Sequence, residues 1–163
     1  MSDILYSPWR MEYINSCEPD GCIFCIKETE ENDLKHLILH RSKYSFVIMN
    51  MFPYNNGHLM VVPKKHTGDL NALSIKETND LFDLVRKTVK VLKDTYNPEG
   101  LNIGMNLGKA AGSGVDEHLH VHIVPRWSGD VNFMTSVGST RVIPENFSQA
   151  YNRIKEQFDK LHG

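Results

Sequence analysis

Three histidines, His118, His120 and His122, occupy every second position of the segment His118-Leu119-His120-Val121-His122-Ile123-Val124. A spacing of two is the period of a β-strand, so Leu119, Val121 and Ile123 would point into a core while all three imidazoles share the opposite face. Burying three imidazoles together costs free energy unless each finds a partner. One histidine on an amphipathic strand is ordinary packing, whereas three in register make the strand a working surface. An imidazole can ligate a metal, take a proton as a general base or attack as a nucleophile, and the row alone does not choose among these. A strand can present His-x-His to one metal ion, so zinc-dependent hydrolysis is one reading of it.

The loop ahead of the row points elsewhere. Asn106-Leu107-Gly108-Lys109-Ala110-Ala111-Gly112-Ser113-Gly114 combines small residues, accessible backbone amides and one hydroxyl, a composition that allows close approach to phosphate oxygens. Alone it reads equally as a flexible turn; beside three histidines the phosphate reading is the better one. Cys22-Ile23-Phe24-Cys25 places two thiols at the spacing of a zinc knuckle, redox pairing or simple packing being their other uses. Histidines elsewhere in the chain can complete a tetrahedral set.

Residues 1–21, with Pro8, Pro19 and Gly21, read as an arm that Trp9 and Tyr13 anchor to the body or to a partner subunit. Residues 37–40 and 44–50 are two short strands around an Arg41-Ser42-Lys43 turn. The loop Phe52-Pro53-Tyr54-Asn55-Asn56-Gly57 leads to a third strand over 58–62, stopped by Pro63. Ser74 and Glu77 spell a capping box, and Leu81, Val85, Thr88 and Leu92 follow at spacings of three and four, predicting a helix over 75–96. A fourth strand over 101–106 reaches the glycine-rich loop, the histidine strand is fifth, and a helix over 147–162 aligns Phe147, Ala150, Tyr151, Ile154, Phe158 and Leu161. The expectation is one α+β domain over 1–163: arm 1–21, core 22–147, then the C-terminal helix. Its mainly antiparallel sheet has about five strands, with both helices on one face and the histidines on the other.

At 163 residues the chain suits one domain with a single sizeable core. A formal net charge of −2 argues against a general nucleic-acid or anionic-membrane surface. No apolar run nears the ~20 residues of a membrane span, and the first residues lack the basic and apolar blocks of a signal peptide. Three cysteines, two of them in one Cys-x-x-Cys, suit a reducing compartment, so the expected location is the cytoplasm.

The combination resembles the histidine-triad superfamily of nucleotide hydrolases and transferases. The triad motif is complete from His118 to Val124, residues 50–63 look like the family's nucleoside-binding strand and turn, and Asn106-x-Gly108-x-x-Ala111-Gly112 looks like its phosphate loop. Pro125-Arg126-Trp127 with Gly129-Asp130-Val131-Asn132-Phe133-Met134 resembles the fragile-histidine-triad and diadenosine-tetraphosphate phosphorylase branch, and the likeness spans about residues 4 to 147. It implies that His120 attacks the α-phosphorus to form a nucleotidyl-imidazole, with His122 holding the phosphate and orienting its neighbour. Asn50 and His58 match positions around the ribose and nucleoside. Asn106, Gly112, Ser113 and Gly114 match the phosphate contacts, which would stabilise charge as it develops on the equatorial oxygens. Phe52, Tyr54 and Trp127 are candidates to stack on a base, although core packing is the ordinary use of each.

The chain departs from the common pattern at Gly112-Ser113-Gly114-Val115-Asp116-Glu117-His118, which lacks a glutamine and is one residue longer. The phosphorylase branch has a similar lengthened form, and the two carboxylates are expected to face away from an anionic substrate. Zinc-bearing members of the superfamily complete a site with positions that here are His66, in Pro63-Lys64-Lys65-His66, and His118. The resemblance therefore implies one structural zinc per chain on Cys22, Cys25, His66 and His118, and no organic cofactor. His36, His40 and His162 are expected at the surface.

The expected activity is cleavage of dinucleoside polyphosphates, diadenosine tetraphosphate above all, through nucleotidyl-His120 with AMP passed to phosphate. Transfer to water, phosphoramidate hydrolysis and a non-catalytic nucleotide sensor are the alternatives, and turnover separates the last from the rest. A homodimer is implied by the resemblance, with neither nucleic acid nor membrane as partner.

Overall fold

The computed structural model describes residues 21–25, 32–130 and 145–161. Trp9, Tyr13, residues 131–134 and His162, singled out above, lie outside the described residues. A short helix, α1 (Asp33–His36), precedes β1 (Ile38–Arg41), β2 (Ser45–Met49) and β3 (Leu59–Pro63), which pair as successive antiparallel neighbours. Helix α2 (Ile75–Tyr96) then crosses the sheet to β4 (Gly100–Gly104), and β5 (Val121–Arg126) returns between β3 and β4. The order is β1-β2-β3-β5-β4, antiparallel throughout, and α3 (Phe147–Lys160) closes the described chain.

Helix α2 starts where the capping box predicts. The Glu77 amide donates to the Ser74 hydroxyl (3.3 Å), and the Ser74 amide donates to the Glu77 carboxylate (2.7 Å). Its buried residues, Leu81, Leu84, Val85, Thr88, Val91 and Leu92, form one stripe. That stripe and the buried face of α3, Ala150, Tyr151, Ile154 and Phe158, cover one side of the sheet, packing on Leu39, Val47, Leu59, Val61, Val121 and Ile123.

The opposite side is not left wholly to the histidines. Ile38, Phe46, Ile48, Met60 and Val62 form a second apolar cluster there, closed by Phe24. Strands β2 and β3 are buried at every position. A strand apolar on both faces needs two covers, and among the described residues the turn at residues 23–25 supplies the second.

Two further expectations change. The ladder of β5 begins at Val121, so His118 and His120 precede it: the Leu119 amide bonds the Thr67 carbonyl (2.8 Å) instead of a strand partner. Alternation of faces nevertheless persists, with Leu119 in the helix-side core. His36 is buried, not at the surface, because α1 lies against β1 and its last residue turns inward. His40 stacks on Phe158 with ring planes 3° apart. Among the described residues no helix is long and apolar enough to cross a membrane.

Candidate active site

Backbone groups fix the tautomer of each imidazole in the row. A carbonyl oxygen can only accept, so Nδ1 of His120, 2.9 Å from the His118 carbonyl, carries the proton and Nε2 carries the lone pair. His122 is set from further away. The Tyr54 amide donates to His58 Nδ1 (3.0 Å), which places the His58 proton on Nε2, and that proton goes to His122 Nδ1 at 2.9 Å. Neutral His122 therefore bears its own proton on Nε2. The pair offers one nucleophilic nitrogen and one N–H donor side by side, with ring centroids 4.9 Å apart.

Electrostatics keeps this arrangement neutral. Burial, then the neighbouring imidazoles His122 and His120, push His58 down to about 3. Burial and His120 push His122 down to about 4. His120 is also lowered, chiefly by burial, with the His118 carbonyl opposing the shift. His58, matched above to the nucleoside pocket, is 2% exposed and stands behind His122. Asn50 is partly committed as well: its oxygen accepts the Phe52 amide (2.9 Å) and its nitrogen lies 3.2 Å from His58 Nδ1.

The glycine-rich loop contains a 3-10 turn, Lys109–Ala111, flanked by Gly108 (φ +82°) and Gly112 (φ +87°). Positive φ suits glycine at both ends. The Asn106 side-chain nitrogen, Nδ2, stands 4.0 Å from where a Cβ on Gly112 would lie. Ser113 Oγ is buried and has no hydrogen-bond partner among the described residues. Asp116 turns its carboxylate towards Lys109 (3.9 Å), and Glu117 is exposed. The loop is pressed onto Gly68, where an added Cβ would fall 2.3 Å from the Asp116 carbonyl oxygen.

Of the candidate stacking residues, Tyr54 lies beside the imidazoles. Its ring centroid is 4.6 Å from His58 and 6.0 Å from His122, and the residue is 53% exposed. Trp127 follows the end of β5, five residues beyond His122 or roughly 16 Å of extended chain, and packs edge-on against Tyr96. The structure does not bring it to the triad.

Cys22, Cys25, His66 and His118 converge, with all four donor atoms within 4.8 Å of one another. His118 Nε2 donates to the Pro63 carbonyl (2.8 Å), so its Nδ1 lone pair faces Cys22 Sγ (3.2 Å), Cys25 Sγ (3.6 Å) and His66 Nδ1 (3.3 Å). One lone pair cannot satisfy three neighbours by hydrogen bonding, but a cation between them satisfies all. Around a tetrahedral zinc, adjacent N and S ligands stand roughly 3.3–3.8 Å apart, close to these separations. Burial opposes ionisation of Cys22, but His118 and the Cys25 and Phe24 amides outweigh it and bring the thiol down to about 6. The donor set fits zinc, with a backbone carbonyl orienting His118 from behind.

Sequence reasoning missed the Pro63 carbonyl, the Tyr54 amide and Phe24. Phe24 packs on both His118 and His120 at 5.3 Å between ring centroids. Its place between the two cysteines is visible in sequence, but its contacts are not.

Comparison with known proteins agrees with this geometry. A profile described as the HIT domain matches residues 31–129. An AP-4-A phosphorylase of Mycobacterium tuberculosis is 38% identical over 149 residues, covering 86% of this chain and 76% of that protein. An adenosine 5'-monophosphoramidase of Schizosaccharomyces pombe is 30% identical over 137 residues, covering 84% and 98%. The crystal structure of a Zn-bound histidine triad family protein from Mycobacterium smegmatis superposes with a TM-score of 0.69 at 25% identity, covering 87% of this chain and 96% of that one. With its triad, its five-stranded antiparallel sheet and these relatives, the chain belongs to the HIT-domain, or histidine triad, family.

Proposed function

We propose that this HIT-family enzyme cleaves dinucleoside polyphosphates of the diadenosine tetraphosphate type through a nucleotidyl-His120 intermediate and passes AMP to inorganic phosphate. The observation that carries the reading is the tautomer pair: a lone pair on His120 Nε2 next to a proton on His122 Nε2. In the first displacement His120 Nε2 bonds to the α-phosphorus as the bond to the leaving oxygen breaks, releasing ATP. His122 and Ser113 hold equatorial oxygens as charge spreads over them, and Asn106, Gly112 and Gly114 lie in the same loop. In the second, a phosphate oxygen attacks the same phosphorus, the P–N bond breaks, and AMP leaves as ADP. Tyr54 offers the open ring face on which a base can stack.

Zinc on Cys22, Cys25, His66 and His118 would be structural, tying the turn at residues 23–25 to the entry of β5. The same reading takes the protein as a cytoplasmic homodimer. Strand β4 is an outer strand of the sheet, with Asn102, Ile103 and Gly104 exposed, an edge that a second copy can extend. Phosphoramidate hydrolysis is the second reading, favoured by the phosphoramidase relative, which aligns over nearly its whole length.

Incubation with diadenosine tetraphosphate, with and without millimolar phosphate, tests the reading when every product is identified. ADP and ATP are expected. AMP and ATP at a rate indifferent to phosphate would make water the acceptor. Faster turnover of adenosine 5'-phosphoramidate would favour the second reading, and binding without turnover of either would make the protein a sensor.

A further inference from the structure

We propose that Phe24 is a positioning residue for His120, seated against it by the metal clamp in which it lies. The inference rests on the proposed function only in naming His120 as the attacking group. Phe24 sits between the two cysteines and is 2% exposed. Its ring meets His118 edge-on, at 72°, and lies tilted against His120, at 43°, with both centroids 5.3 Å away. The hydrogen bond from His120 Nδ1 to the His118 carbonyl fixes one atom of the imidazole but leaves the ring able to swing about that contact. With the His122 ring edge-on at one side, the flat side chain of Phe24 packed on the ring restricts that swing and so aims Nε2.

The clamp decides whether that ring stays in place. Phe24 is steadied from the sheet side by Ile38, Phe46, Ile48, Met60 and Val62. From the other side, the polar anchors of its turn include Cys22 against His118 and Cys25 against His66 and His118. An ion bound by these four residues would thus join the turn to the loop after β3 and to the entry of β5. His118 serves twice: its imidazole faces the clamp while its carbonyl orients the nucleophile.

The test reads geometry and metal as well as turnover. In unaltered zinc-loaded protein, nuclear Overhauser contacts between the Phe24 and His120 ring protons are expected, and stripping zinc should weaken them severalfold while contacts in the α2–α3 core persist. Full intensity after stripping, or failure to take up zinc at all, overturns the proposal. Phe24→Leu keeps apolar bulk but loses the flat face. It should retain one zinc per chain and the His120 Nδ1–H tautomer, which the His118 carbonyl still holds, but lower kcat about tenfold with KM within about twofold. Wild-type kcat in a folded, zinc-loaded variant overturns it. If Phe24→Leu does not fold, the contact measurement on the unaltered chain decides. A protein showing the zinc-dependent contact without turning over any dinucleoside polyphosphate would sink the proposed function and leave the positioning intact.

Discussion

At the scale of single residues, this site is organised by which nitrogen carries which proton. Three backbone atoms, the His118 and Pro63 carbonyls and the Tyr54 amide, impose the tautomers of His120, His118 and His58, and His58 passes its constraint to His122. Neutrality has a consequence for stability. His58 and His122 titrate at about 3 and about 4 when folded, against roughly 6.5 for an ordinary histidine. Between those limits the unfolded chain binds more protons, so their contribution is fully present above about pH 6.5 and is lost as pH falls. Melting temperature should therefore be level from about pH 8 to 7 and decline from about pH 6.5 to 5, above the range where most carboxylates titrate. His58→Gln should flatten part of that decline, and a wild-type profile level down to about pH 5 would contradict the assigned neutrality.

Elements carry these atoms to each other, and some of the joints are tight. The turn into β3 passes Gly57 at φ +71°, where an added Cβ would lie 2.9 Å from the Tyr96 ring and 3.2 Å from Leu92. Tyr96 has little room to yield. Its hydroxyl donates to Glu145 (2.6 Å), Arg153 lies over its ring, and Trp127 meets it edge-on. Gly57→Ala thus combines left-handed strain with a clash at the end of α2, one residue before His58. A loss of about 1–3 kcal/mol in urea unfolding is expected, together with reduced kcat because the His58–His122 contact shifts. A variant as stable as wild type would show that the turn relaxes freely.

Over the whole molecule, the two faces of the sheet are closed by different means. The α2–α3 side is a continuous apolar core, whereas on the opposite side, among the described residues, the segment at residues 22–25 covers the sheet with Phe24 between two cysteines. An ion on Cys22, Cys25, His66 and His118 would link positions up to 96 residues apart, and metal bound only by the folded state adds directly to its stability. Chelation should lower the melting temperature by several degrees or more, with zinc restoring it. An unchanged melting curve, with less than one zinc per few chains by elemental analysis, would remove the metal from this account.

What the sequence determined alone is what short-range periodicity encodes. Alternation put Leu119, Val121 and Ile123 on one face and the imidazoles on the other, because successive strand side chains must point in opposite directions. Ser74 and Glu77 marked the start of α2 because a helix end needs acceptors for its first amides. The triad, the glycine-rich loop and the cysteine pair are legible as residue types at set spacings, and the resemblance to a known family supplies His66 and His118 as the other half of the candidate metal set. Tertiary structure alone decided the rest. Nothing near Trp127 in sequence says that it ends beside Tyr96, and nothing near His36 says that it is buried. The tautomers depend on Pro63 meeting His118 and on Tyr54 meeting His58, and Phe24 reaches His120 from nearly a hundred residues away. Such meetings follow from strand order and register, which pattern along the chain constrains to a face but not to a partner atom.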